Sequence, residues 1–93
     1  MKSIDTQKIG EGLYDLMNDD HKTLVAFGMI PHEIMKYVMD KVEDRIVKTY
    51  EEEWGFSEDL IRGSIKKSFL NRIEREIAVS IYSRASELGK MVV

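Results

Sequence analysis

Two sets of side chains in this sequence have types and spacing that could do chemistry. The first lies in the tract "RGSIKKSFLNRIER", residues 62–75, where Lys66, Lys67, Asn71, Arg72 and Arg75 fall close together. At helical spacing Lys67, Asn71, Arg72 and Arg75 share a polar side opposite Phe69 and Ile73. Such an arc straddles phosphates, and asparagine and arginine read base edges, so the tract permits nucleic-acid binding. An overall pI of about 5.4 argues against a dedicated binder. The bases also have another use close by. From Asp40 to Asp59 eight acids stand against Lys41, Arg45 and Lys48, net −5; from Arg62 to Arg75 five bases stand against Glu74, net +4. Neighbouring segments of opposite sign are most simply helices that lie against each other. The expectation is therefore that these bases pair with the acidic helix before them, with nucleic acid as the alternative partner.

The second set holds the two histidines, His21 after Asp19-Asp20 and His32 before Glu33. These are metal-ligand types, but His32-Glu33 lacks the second histidine four residues on that a zinc-protease motif requires, and Asp19-Asp20-His21 belongs to no recognisable ligand spacing. Both clusters read as helix starts, with acids at the positive end of the dipole. Glu51-Glu52-Glu53 reads as a solvated face near a helix end. No phosphate loop, dinucleotide fingerprint or nucleophile elbow is present. No catalytic residue, metal site or cofactor is expected, and the chain is read as a non-enzyme.

Helices must position all of these groups. The chain has 93 residues, one proline, six glycines and no cysteine, with 43% hydrophobic and 33% charged residues. That composition is globular and predicts a single domain over 1–93. Zero cysteines exclude disulfides and thiolate sites. The start "MKSIDTQKIGEG" lacks a signal peptide's apolar run, and the longest apolar run is too short for a bilayer, so a cytoplasmic protein without a membrane partner is expected.

Periodicity is helical almost throughout. Short N-terminal helices occupy 1–30. In the first, about Asp5 to Asn18, the expected inward face is Ile9, Leu13, Leu16 and Met17; Gly10 and Gly12 soften it by roughly 1 kcal/mol each. Asn18 caps a second short helix through Phe27, and Gly28-Met29-Ile30 forms a tight junction ahead of Pro31. The hairpin 31–88 follows. Its first arm, Pro31 to Trp54, turns Val42, Ile46, Val47, Tyr50 and Trp54 inward. Trp54-Gly55-Phe56-Ser57 ends that arm and caps the next, with Phe56 placed to staple onto Ile61. The second arm, about 58–88, carries Ile65, Phe69, Ile73, Ile77, Ile81 and Ala85 at four-residue steps, with Gly63 a possible break. Residues 89–93 form a tail.

The fold class is accordingly all-α, a small bundle of four to five helices dominated by the hairpin of about 31–54 and 58–88. A compact domain of this length has a radius of gyration of roughly 12 Å and a diameter near 30 Å. The arms span about 36 Å and about 37–46 Å. Either they kink or they pair with a second copy, and a homodimer is expected. Ile34, Met35, Tyr37, Val38 and Met39 spread round most of their helix, so they are the expected self-association or partner surface. Met29, Met35 and Met39 offer either an adaptable partner surface or ordinary core filling. The function expected is that of a small interaction or regulatory protein with a helical protein-binding surface. A nucleic-acid-binding regulator using Lys66, Lys67, Asn71, Arg72 and Arg75 is the alternative, and a structural subunit of a larger assembly the third reading.

Overall fold

A computed structural model describes residues 4–89. Among them five helices and no strand are found: α1 (Thr6–Leu16), α2 (Asp19–Ala26), α3 (His32–Trp54), α4 (Glu58–Ser64) and α5 (Lys67–Glu87). The all-α class is thus as the periodicity predicts. Of the expected tail only Gly89 lies within the described residues.

The helix ends follow local chemistry. The Asp5 carboxylate accepts the Lys8 N–H at 3.0 Å, the Asn18 side chain accepts the His21 N–H at 2.8 Å, and the Ser57 hydroxyl accepts the Leu60 N–H at 3.3 Å. Each satisfies one of the donors that a helix start leaves orphaned. Gly55 closes α3 in the left-handed conformation, φ 68°, which a side chain would strain. Gly63 lies inside α4. The second arm breaks instead at Ile65 and Lys66, both extended, with ψ 120° and 136°.

From that break α5 runs back along α3. Its start meets the far half of α3, where Phe69 shares a groove with Ile46 and Tyr50. Further on, the Tyr82 hydroxyl donates to the Gly28 carbonyl at 2.8 Å, ahead of the start of α3. The C-terminal half of α5 then passes beyond α3 and packs on α1 and α2; α1 against α5 is the most extensive helix pairing. Those two run in the same direction, since Gln7 meets Ser80 while Asp15 meets Arg84.

This layout resolves the mismatch between helix length and globule size. The molecule is a rod of 47 × 21 × 21 Å with a radius of gyration of 14.9 Å. The long helices are accommodated by serial burial, α3 and α4 at one end and α1 and α2 at the other, with α5 as the shared spine. Their length therefore needs no second copy.

The core runs the length of that spine. Ile73, Ile77, Ile81 and Ala85 are buried against Val38, Val42, Ile46, Val25 and Tyr14. The four-residue ladder is inward as expected. Of the expected inward face of α1, Met17 is buried and Ile9 and Leu13 pack half-buried against the core, but Leu16 is 87% exposed, and Gly10 and Tyr14 are buried in addition. The cause is the close approach of Gly10 to Ser80, which turns positions 10, 14 and 17 toward α5. Trp54 also differs. It lies one turn beyond the half-buried Tyr50 and is 62% exposed.

Candidate functional site

The expected site residues are dispersed. Of the five on the first turns of α3, Met35 and Val38 lie in the chain's own core, Ile34 and Met39 are half-buried, and Tyr37 is exposed. The apolar circumference of this half-helix has an internal cause: Met35 and Val38 belong to the α3–α5 seam, Ile34 and Met39 flank it, and the Tyr37 ring is covered by the Lys41 ammonium at 5.6 Å. The methionines divide in the same way, Met29 being 56% exposed and Met35 buried.

His21 on α2 stands 3.7 Å from the Glu33 carboxylate, while His32 is exposed. Among the described residues no group of three or more His, Cys, Asp or Glu side chains could hold a metal ion.

The basic tract separates into two parts. Arg62 pairs with the acidic helix: its guanidinium meets Asp44 at 3.0 Å, Glu58 at 2.9 Å and Glu43 at 3.7 Å. The hydrogen bond to Asp44, then that to Glu58, raises the Arg62 pKa above the ordinary arginine value. Lys66, Lys67, Arg72 and Arg75 are all exposed, and none forms an ion pair among the described residues. Arg72 lies over the Phe69 ring, 5.4 Å from its centre. The exposed bases follow from geometry: α5 begins where α4 already occupies the acidic flank of α3, and Arg62 reaches Glu43 and Asp44 from there. At the other end of the rod Arg84 pairs with Asp15 at 3.1 Å, which raises its pKa.

The prominent concave feature is at the tip where α3, α4 and the start of α5 meet. An open apolar groove of about 560 Å³ is walled by Ile46, Tyr50, Phe56, Leu60, Ile65 and Phe69. Phe56 and Leu60 are 46% and 55% exposed, so the groove's lip is itself apolar. Lys66 stands on its rim, and Trp54 projects beyond Tyr50 on the same side of α3, as an i, i+4 neighbour must. The expected staple is present only in part, since Phe56 and Ile61 line one groove but Phe56 stays half in solvent.

Sequence reasoning passed over this groove. Ile61 is buried and the half-buried Ile65 opens the four-residue ladder, whereas Leu60 falls beside it and Phe56 precedes a cap. Two large apolar residues off the inward stripe, next to the chain's only tryptophan, were the available signal. Such a groove is shaped to take an apolar side chain, with Lys66 the one charged residue in its lining.

The chain matches no known protein-family model, no curated protein and no solved structure. No described helix is long and apolar enough to cross a membrane.

Proposed function

We propose that the protein is a small, non-enzymatic, cytoplasmic interaction protein, regulatory in role, whose working surface is the tip groove. The observation that carries this reading is the apolar groove itself, whose walls Phe56 and Leu60 are 46% and 55% exposed, with Trp54, 62% exposed, one helical turn beyond its Tyr50 wall. A 93-residue chain has little apolar surface to spare, and contiguous exposed patches on small proteins mark places where something else is buried. Aromatic residues at the centre of such a patch supply most of an interface's binding energy. A photoreactive side chain at position 60 tests the reading. Cross-links to protein from position 60, and none from the exposed position 23 on α2, are the expected result. Equal or absent cross-linking at both positions refutes it.

The second reading is nucleic-acid binding through α5. Its support is that Lys66, Lys67, Arg72 and Arg75 are exposed and without ion pairs among the described residues, beside the exposed Asn71. Duplex binding by this face falls with salt, with a log–log slope of about 0.9 per phosphate neutralised. It is lost in Lys67→Glu with Arg72→Glu. Binding that ignores salt, or that survives this double variant, removes the second reading.

A further inference from the structure

We propose that the occupant of the tip groove is a second copy of this chain, related by a two-fold axis, with Trp54 of each copy seated in the groove of the other. The inference rests on the reading of the groove as an interaction surface and adds the identity of the partner.

A two-fold contact requires one patch to carry both halves of every interaction. This patch does. It has a cavity of about 560 Å³ with aromatic walls, and one helical turn away a tryptophan 62% exposed. It also carries both signs of charge. Glu51 and Glu52 precede Trp54 on α3, are exposed, and form no ion pair among the described residues. Lys66 lines the groove and Lys67 follows it, also exposed and unpaired among the described residues. Within one chain these acids and bases form no ion pair with each other. Across a two-fold axis they meet. Glu51 is the i−3 neighbour of Trp54, so a tryptophan entering the partner's groove brings Glu51 to the rim where the partner's lysine stands. The axis repeats the contact, giving two buried tryptophans and two acid–base edges. An unrelated partner would have to match an apolar knob, a groove and both charge signs at once; a second copy does so by construction.

The single tryptophan is also the probe. Light scattering and tryptophan emission are recorded on the full chain from sub-micromolar to several hundred micromolar. The expected result is a doubling of mass accompanied by a blue shift as Trp54 leaves water. Trp54→Ala weakens the dimer by about thirtyfold or more, the scale of a central aromatic anchor. Glu51→Lys with Glu52→Lys, and separately Lys66→Glu with Lys67→Glu, each weaken it by about tenfold or more. Mixing the two charge-reversed proteins restores a dimer, which a fold defect in either variant cannot do. A chain that stays monomeric with unchanged emission overturns the proposal, and so does a dimer indifferent to Trp54→Ala or not rescued by mixing. Failure of the groove reading is separate: a monomer that still cross-links from position 60 to another protein overturns only the second copy as occupant, whereas absent cross-linking from position 60 overturns both.

Discussion

Gly10 lies so close to Ser80 that a Cβ on residue 10 would stand 2.5 Å from the Ser80 Cβ and 2.8 Å from the Ile77 carbonyl oxygen. The Ser80 hydroxyl, itself buried, donates to the Gln7 carbonyl at 2.7 Å and fastens the crossing. Small residues on both helices let α1 lie against the spine. Gly12, two residues on, has nothing within 4 Å of a would-be Cβ.

The pair makes a controlled comparison. Alanine improves helix propensity at both sites by about 1 kcal/mol. At position 10 overpacking, typically about 1–3 kcal/mol, opposes it, and the atoms in the way include backbone, which does not give easily. Gly10→Ala therefore lowers unfolding free energy by up to about 2 kcal/mol, while Gly12→Ala raises it by up to about 1 kcal/mol. Urea denaturation followed by circular dichroism reads both. A stabilising Gly10→Ala would mean that α1 does not lie this close to α5.

Tyr14 is fully buried, and its hydroxyl hydrogen-bonds to no group among the described residues. An unsatisfied buried hydroxyl costs about 1–3 kcal/mol of desolvation, which phenylalanine avoids at the same shape. Tyr14→Phe is expected to leave stability unchanged or raise it by about 1 kcal/mol. A loss larger than about 1 kcal/mol in the same urea experiment would show that the hydroxyl has a partner in solution.

Arg62 is the clasp that holds α4 against α3, touching Asp44, Glu58 and Glu43. The hydrogen bonds to Asp44 and then Glu58 raise its pKa above the ordinary arginine value, so its contribution is complete at every pH below that value and is lost only as pH rises beyond it. The arginine itself therefore adds no pH dependence near neutrality. Salt is the lever, because the clasp is partly exposed and the screening length falls to about 3 Å at 1 M. Arg62→Met lowers the melting temperature in low salt, and the difference from the parent chain narrows toward 1 M sodium chloride. A difference independent of salt would assign the loss to packing.

How far the molecule was legible in its sequence depended on whether a feature is periodic. The ladder Ile73–Ile77–Ile81–Ala85 is read correctly because each member repeats the same burial at a helical period. The caps at Asn18 and Ser57 and the corner at Gly55 are local rules satisfied by their own neighbours. Gly10 reads as a weak helix position because its partner is seventy residues away and contributes only a small side chain. The break at Ile65–Lys66 carries neither glycine nor proline, so nothing in its type announces it. The tip groove is the least legible feature, since it comes from where three elements stop. The direction of each helix face can be read from type, but the end of the neighbouring helix that leaves Trp54 uncovered cannot.

Ile61 and Leu60, adjacent on α4, separate fold from function. Ile61 is buried at 6% exposure and anchors α4, whereas Leu60, 55% exposed, forms the groove's lip. Ile61→Ala removes buried methyl groups and is expected to cost about 2–4 kcal/mol of stability. Leu60→Ala is expected to cost less than about 1 kcal/mol, since exposed positions away from caps and cores change little. The order is expected to reverse for association, because Leu60 is by far the more exposed of these two groove-lining residues. Measured together by urea denaturation and by light scattering, Leu60→Ala should weaken self-association while leaving the unfolding midpoint near that of the parent chain. If instead it unfolds the chain as far as Ile61→Ala does, α4 is packed on both sides and the groove is closed.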